Sequence, residues 1–397
     1  MFRVTSALVT LAGIFAWSIN VRAGVVIETV TVGSPGNAGE GSGWSYGGYG
    51  PDRICGAVDY AYNIGKFEVA AAQYTEFLNA VADEDTYGLY YTSMADPFGL
   101  FGCNIQRTGT SPNFSYSVAP DWADRPVNYV SWGDAARFCN WLHNGQPTGA
   151  QNLTTTEDGS YYLNGATSNP ELMAVVREED ATWVIPSEDE WYKAAYHYND
   201  GVTGNYYDYP TSSDSVPGYV NDSGNLSGTG TAFTEGGTDP GNYATYDGDG
   251  GIDGIGSPYY RTEVGEWENS DSPYGTADQG GNVWEWNEAV PYVSVRGARG
   301  GSFYHDVGGD LHAAGRDNYG PMSQAGWIGF RVAEVPERGD FDADGDLDLA
   351  DYAQLDDCLS GPGVGRLPAC GAFDQDRDDE IDLSDFASFQ IQFTGPQ

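Results

Sequence analysis

Apolar residues recur along this chain with two periods, and the switch between them marks the elements. From Val58 to Ile64 hydrophobic and polar positions alternate, as in a half-buried strand. Ala70, Tyr74, Phe77, Leu78 and Val81 then fall on one stripe of period 3.6, which predicts a helix. The segment PVNYVSWGDAARFCNWLHN predicts a second: Ser131 caps it, and Trp132, Ala135, Ala136, Cys139 and Leu142 form its buried face. A third lies in VIPSEDEWYKAAYHY, where Ser187 and Glu190 make a capping box and Trp191, Ala194, Ala195 and Tyr198 face inward. Short strand-like runs, Val127–Val130 and Trp183–Ile185, precede these two helices.

Between the periodic segments the pattern lapses twice. Gly33–Tyr49 is glycine-rich and irregular, and Gly201–Gly256 is rich in Gly, Asn, Asp, Tyr and Ser without a sustained period. The tyrosines of the longer stretch predict packed functional loops in place of a floppy linker. Core-like sequence resumes at Val264 and ends near Val335, and Pro336–Gly339 forms a short joint to a tail of different composition.

The first residues bear on the compartment. Arg3 supplies a positive region, Ala7–Ile19 an apolar run and Val21-Arg22-Ala23 a small-residue cleavage site, so residues 1–23 read as a signal peptide cleaved after Ala23. The run is too short to cross a bilayer and no second one of spanning length follows, which predicts an exported, secreted or cell-surface protein with no transmembrane segment after cleavage. A formal charge of −41 argues against nucleic acid as a partner, because phosphates need the Lys and Arg this chain lacks. Five cysteines in an exported chain permit disulfides. Cys358 and Cys370 flank one loop of the tail, Cys55 and Cys103 are candidates to pair, and Cys139 reads as a small buried hydrophobe.

Part of the acidity has a specific pattern. Asp340, Asp342, Asp344, Asp346, Asp348 and Asp351 stand at positions 1, 3, 5, 7, 9 and 12 of a calcium loop, with Gly345 at the sharp turn of position 6. Asp374, Asp376, Asp378, Glu380, Asp382 and Asp385 repeat the spacing 34 residues later, with Asp379 in place of the glycine. Ca²⁺ is a hard cation that takes six to eight oxygens, and one loop of this kind can wrap it. Each loop runs into an apolar helix, Leu349–Leu359 and Leu383–Phe393. This layout resembles a type I dockerin, which implies calcium binding and attachment to a cohesin-like or other surface partner. The Cys358–Cys370 insertion departs from the compact dockerin pattern.

The larger part of the chain carries a second resemblance. IGKFEVAAAQYTEFLNAV, RPVNYVSWGDAARFCNWL, VIPSEDEWYKAAY, GNVWEW at Gly281–Trp286, and RGGSF at Arg299–Phe303 followed by IGFRVA occur in order. Together they resemble the formylglycine-generating enzyme, or sulfatase-modifying factor, family over Tyr60–Ala333. The resemblance implies an α+β fold: an elaborated C-type-lectin-like domain with low regular secondary structure over residues 24–336. A small all-α paired EF-hand-like module over 339–397 would follow it. Trp284 and Trp286 are read as anchors for layers on both sides, and Arg316 and Arg331 as buried ion-pair partners. The GNVWEW region carries a calcium site in family members, here implying Asp278 and Glu285 through carboxylates and Gly281 and Val283 through carbonyls. Asn242, Tyr243 and Trp267 fit a second family site loosely, without the carboxylate expected near Gly265.

The family's oxidases bind copper through two cysteines just after GGS, because soft Cu(I) prefers thiolate sulfur. Those positions here read His305 and Asp310. Copper-dithiolate oxidation is therefore excluded by this alignment, and Ser302, His305, Asp310 and His312 stand as pocket candidates. His305, Asp310 and His312 also contain the ligand types of a non-haem iron triad, so an oxidoreductase with a non-thiol iron site is the alternative. The leading reading is a non-catalytic domain, a ligand-binding or assembly protein tethered by its tail. Its ligand face is expected to include Tyr304, His305, Asp306, Asp310, Tyr319 and Trp327, a mixture that suits a peptide or carbohydrate.

Overall fold

The computed structural model describes residues 24–99, 101–178, 180–248, 250, 254–304, 308–336, 349–361, 363–365, 370, 373–374 and 380–392. Residues 1–23, expected to be a signal peptide, His305 and Asp306, and Asp340–Asp348, Asp376 and Asp378 lie outside them.

Two four-stranded sheets organise the main domain. The first sets β1 (Thr29–Val32), β4 (Tyr62–Gly65), β12 (Ala333–Glu334) and β7 (Trp183–Val184) side by side, all antiparallel. It joins the start of the described chain to the end of the main domain. The second orders β10 (Asp317–Tyr319), β9 (Arg296–Arg299), β8 (Trp284–Trp286) and β11 (Ile328–Gly329), with β8 and β11 parallel. Two small hairpins, β2 (Glu40–Ser42) with β3 (Arg53–Cys55) and β5 (Ile105–Thr108) with β6 (Ser115–Val118), complete the strands. Helices α1 (Ala71–Val81), α2 (Trp132–His143), α3 (Asn169–Ala174) and α4 (Glu188–Tyr196) are short, and loops form the rest. The fold is mixed helix and sheet with little regular secondary structure.

The helices form where the period predicted them. Gln73 accepts the Ala70 N–H at the start of α1, and Ser131 and Ser187 cap α2 and α4 through Asp134 and Glu190 at 3.1 Å each. The inward stripes of α1 and α2 meet in an aromatic core, with Phe138 5.2 Å from Phe77 and 5.4 Å from Phe330 between ring centroids. Gly201–Gly256 is packed, as its tyrosines predicted: Tyr209, Tyr243 and Tyr246 are buried, and Tyr243 stacks on Trp267 at 5.5 Å.

Four expectations change. The alternating run yields a strand only at Tyr62–Gly65, where β1 and β12 supply partners; Val58 is spent on carbonyl contacts to Gly36 and Lys193 instead. Val127–Val130 is not a strand, because Val127 bonds Val69 alone and Tyr129 takes a left-handed φ of 59° that breaks any ladder. Tyr198 lies past the end of α4, where extended His197 turns the chain and Tyr198 stacks on Tyr207 at 4.0 Å. Cys55 and Cys103 do not pair; both are buried free thiols, and Cys55 accepts from Arg299 at 3.4 Å. Cys139 is buried as predicted, and Cys358–Cys370 is a disulfide.

In the tail, α5 (Leu349–Cys358) and α6 (Leu383–Gln392) enclose a small apolar cluster of Leu355, Phe373, Ile381 and Phe389 around the disulfide. No helix among the described residues is long and apolar enough to cross a membrane.

Candidate functional site

The GNVWEW strand alternates as strands must, and that decides its chemistry. Trp284 and Trp286 enter the same core cluster, so the reading that they anchor opposite layers is corrected: residues two apart share a face. Glu285 between them takes the other face and is fully buried. There Arg331 Nε and Nη2 donate to it at 2.6 and 2.7 Å, and Trp191 Nε1 donates at 2.6 Å. Arg331 also reaches the carbonyls of Gly65, Lys66 and Ala277, lacing β4, the segment before Asp278 and β8 together. A second buried carboxylate, Glu188, gathers Arg299 at 2.8 Å, Arg53 at 3.0 Å and Arg316. Arg316 and Arg331 are thus the ion-pair partners the sequence suggested. Removing one member of such a pair strands a charge in low dielectric, at about 3–5 kcal/mol.

From this ionic layer the GGS turn leads outward. Gly300 and Gly301 both have left-handed φ, 100° and 77°, and a Cβ on them would meet the Gln279 carbonyl at 2.7 Å and Leu311 at 2.8 Å. Only glycine brings the backbone that close. Ser302 is fully buried and its Oγ accepts the Tyr304 N–H at 3.3 Å. Asp310 is also buried, and Tyr49 donates its hydroxyl to Asp310 Oδ1. Burial and the neighbouring Asp310 charge push the Tyr49 phenol far above its usual range, which keeps it a donor. His312 accepts the Ala314 N–H at its Nδ1, 2.9 Å, and turns Nε2 toward Asp208 at 3.6 Å with Tyr209 edge-on to the ring. Ser302 and Asp310 therefore flank Gly301, while His312 looks to the Asp208 loop.

Tyr49 and Asp208 gave no signal in the sequence, and Tyr209 was legible only as one of the packing tyrosines of the longer loop stretch. Tyr49 comes from the glycine-rich excursion around β2 and β3, whose Gly43 N–H and Ser42 Oγ bond the carbonyls of Ala314 and Ala313. Asp208 and Tyr209 come from the aperiodic stretch. A long-range contact from an irregular segment leaves no period to read.

Outward of Ser302 lies an aromatic shelf. Tyr304 stacks on Trp327 at 5.2 Å and 15° between ring planes and is 42 % exposed. Phe101 approaches Tyr304 at 5.6 Å, with Tyr260 edge-on to Phe101 at 4.7 Å. Tyr319, also expected on this face, lies edge-on to Trp286, donates to Asp317 at 2.6 Å and reaches Trp327 of the shelf. A groove of about 380 Å³ between α1 and β6 is lined by none of these residues.

Of the residues implied for calcium, Asp278 is partly exposed with a left-handed φ of 58°, and its Oδ2 accepts the Gly265 N–H at 2.6 Å. Gly281 has φ 90° and is packed against Thr245. Val283 is buried beside Gly329. Asn242, from the looser second set, spends its side chain on Thr211 and Ser215. Glu68, which the sequence did not single out, is buried close by. Desolvation raises its carboxyl well above the usual range, with the charges of Asp278 and Glu285 adding and Arg331 opposing. Desolvation likewise raises Asp278. Among the described residues no group of three or more His, Cys, Asp or Glu side chains is placed to hold a metal ion.

In the tail, Asp351, Asp374 and Asp385 are buried. Asp382 N–H donates to Asp385 at 2.8 Å and Asp382 accepts from Ser384 at 2.7 Å, so the two carboxylates close the first turn of α6. Glu380 accepts the Gly363 N–H at 2.6 Å through its side chain.

Short helices, two small sheets and an arginine-locked GNVWEW strand beneath a double-glycine turn define a sulfatase-modifying-factor-like domain. Residues 56–335 match the family described as the sulfatase-modifying factor enzyme 1-like domain, and the chain belongs to that family. No curated protein matches it. Among solved structures it is similar to Treponema denticola variable protein 1, at 19% identity over 78% of this chain and 95% of that one, TM-score 0.44. It is also similar to CarF, at 18% identity over 78% and 98%, TM-score 0.39. PvdO from Pseudomonas aeruginosa gives 16% identity over 77% and 94%, TM-score 0.41.

Proposed function

We propose that the family domain of this chain is a non-catalytic ligand-binding domain whose contact surface is the shelf of Phe101, Tyr304 and Trp327. The observation that carries this reading is the parallel stack of Tyr304 on Trp327, with Tyr304 half open to solvent. Exposed ring faces held rigid by packing suit the apolar face of a sugar or a peptide side chain. The copper chemistry of the family's oxidases has no thiols here, and Asp310 at one of those positions is engaged by Tyr49. Calcium at the tail loops and near GNVWEW would stabilise the scaffold, and the tail would tether it to a cohesin-like or surface partner outside the cell.

A glycan and peptide array probed with the full chain tests the binding role. Wild-type signal that Tyr304→Ala and Trp327→Ala each abolish supports the shelf, and signal indifferent to both sinks it. Incubation with a sulfatase-motif peptide and oxygen, read by mass spectrometry, tests the catalytic one: formylglycine in the product would overturn the non-catalytic reading. For the tail, capture of a surface partner should require calcium and be lost when residues 339–397 are removed.

A further inference from the structure

The aromatic shelf has a second stacked pair joined to it. Tyr91 lies over Tyr129 at 5.4 Å between ring centroids and 28° between ring planes, and Tyr91 is 39 % exposed while Tyr129 is buried. This repeats the arrangement of Tyr304 on Trp327, where an inner ring covers one face of an outer ring that solvent still reaches.

One backbone frame carries both pairs. The side-chain amide of fully buried Asn128 donates to the Gly326 carbonyl at 2.5 Å and to the Phe101 carbonyl at 2.7 Å, which ties the residue before Trp327 to the Phe101 wall of the shelf. Tyr129, next in the chain, donates its N–H to the Ala325 carbonyl at 3.1 Å, two residues and thus about 7 Å of chain before Trp327. On the other side Tyr91 opens a turn whose Met94 N–H bonds the Tyr91 carbonyl at 3.0 Å. At the end of that turn the Asp96 carbonyl accepts from Gly102, the residue after Phe101, at 2.8 Å. Phe101, Tyr129 and Tyr260 all take left-handed φ, 59°, 59° and 60°. Bulky side chains rarely adopt that conformation and keep it only where the surroundings fix them, and such residues gather at functional sites.

The frame is electrically quiet. Arg261 and Asp96 are charged side chains that act on Tyr129, and both are engaged. Arg261 lies over Phe303 at 5.2 Å and gives its η nitrogens to the Phe101 and Gly102 carbonyls. Asp96 accepts the Phe98 and Gly99 N–H groups.

We propose that the two outer rings, Tyr91 and Tyr304, are consecutive platforms for one linear, neutral glycan whose sugars are joined through equatorial bonds. Such a chain is a flat ribbon with apolar C–H faces along its length, and a sugar can lie on each ring while its hydroxyls stay in water. A peptide side chain calls for an enclosing pocket or an opposite charge, and an acidic polysaccharide is repelled by a net charge of −41. This assignment rests on the binding role of the shelf and adds to it a ligand class and a second subsite.

The test is calorimetric titration of the full-length protein with cello- and chito-oligosaccharides, from monosaccharide to hexasaccharide, on wild type, Tyr91→Ala, Tyr91→Phe and Tyr304→Ala. Wild-type affinity should rise about tenfold or more once the glycan is long enough to meet both rings. Tyr304→Ala should weaken binding at every length. Tyr91→Ala should bind short members as wild type does and lose the gain of the long ones, while Tyr91→Phe, which keeps the ring, should retain it. The tail contains no tryptophan, so an unchanged tryptophan-detected melting midpoint shows that the main domain of each variant is folded. Should Tyr91→Ala not fold, Tyr91→Leu, which keeps bulk without a ring, carries the same expectation. Binding that depends on Tyr304 but shows no gain with length, or keeps its gain in Tyr91→Ala, removes the second platform and leaves the shelf standing. If neither series binds, the glycan assignment falls; a peptide held through Tyr304 on the array would then preserve the shelf, and nothing held through Tyr304 would sink both.

Discussion

The main domain and the tail are held together by different means. The main domain builds its interior from interlocking aromatics, Phe77, Phe138, Trp141 and Phe330 among them, and from arginines that reach buried carboxylates and loop carbonyls. With so little regular secondary structure, those guanidinium forks replace ladder hydrogen bonds: Arg331 alone serves three carbonyls and one carboxylate. Among its described residues the tail encloses Leu355, Phe373, Ile381, Phe389 and the disulfide cysteines, and closes with that covalent bond. A core that small rarely supplies enough burial to fold by itself. One region is held by packing and internal charge pairing, and the other, in its described residues, by a small apolar cluster and a crosslink.

The largest effect that would break this contrast is loss of the central fork. Arg331→Met leaves Glu285 buried and unpaired, and should cost the main domain about 3–5 kcal/mol, seen as a lowered tryptophan-detected midpoint with tail amide exchange unchanged. A loss under about 1 kcal/mol would mean the ion pair behaves like a surface pair, and the contrast would fail. Next in size, replacing Cys358 and Cys370 together by serine should remove about 2–4 kcal/mol from the tail, measured as faster exchange in α5 and α6. The main-domain midpoint should not move; if it falls too, the two regions are one cooperative unit. A smaller effect is expected at the α4 cap: Ser187→Ala should cost about 1 kcal/mol in a chemical denaturation of the main domain.

The smallest is a pH effect. Burial works against ionised Glu190, but Arg177 outweighs it, with help from Tyr60 and the Ser187 N–H, and holds the carboxyl below its ordinary 4.5. A depressed carboxyl contributes stability that is complete above that ordinary value and drains as pH falls through the folded one. Glu190→Gln should therefore flatten the acid limb of the main-domain stability curve below about pH 4.5 while leaving its slope near neutrality. An unchanged acid limb would show that other carboxylates carry the acid sensitivity.

What could be read from the chain and what could not divide along a physical line. Helices α1, α2 and α4 announced themselves because a 3.6 period is a local property of Ala70–Val81, Ser131–Leu142 and Ser187–Tyr196, and the last two add a capping serine. Arg316 and Arg331 were expected to pair, though their partners Glu188 and Glu285 were not named. Strands fared worse: Val127–Val130 has strand composition, but a ladder needs a neighbour, and none is offered once Tyr129 takes a left-handed turn. Cys55 and Cys103 were equally undecidable, since burial of each beside a different arginine is a matter of tertiary placement.

For the candidate site the division is sharper. Sequence alone determined the family signature, the absence of thiols at His305 and Asp310, and the calcium-loop spacing of the tail, because each is a matter of residue identity at fixed offsets. Only the tertiary structure decided that Tyr49 meets Asp310, that His312 faces Asp208, that Tyr304 lies on Trp327, and that Glu68 is buried. Those contacts join segments far apart in the chain. Their partners are chosen by the packing of irregular loops, which carries no period a reader could follow.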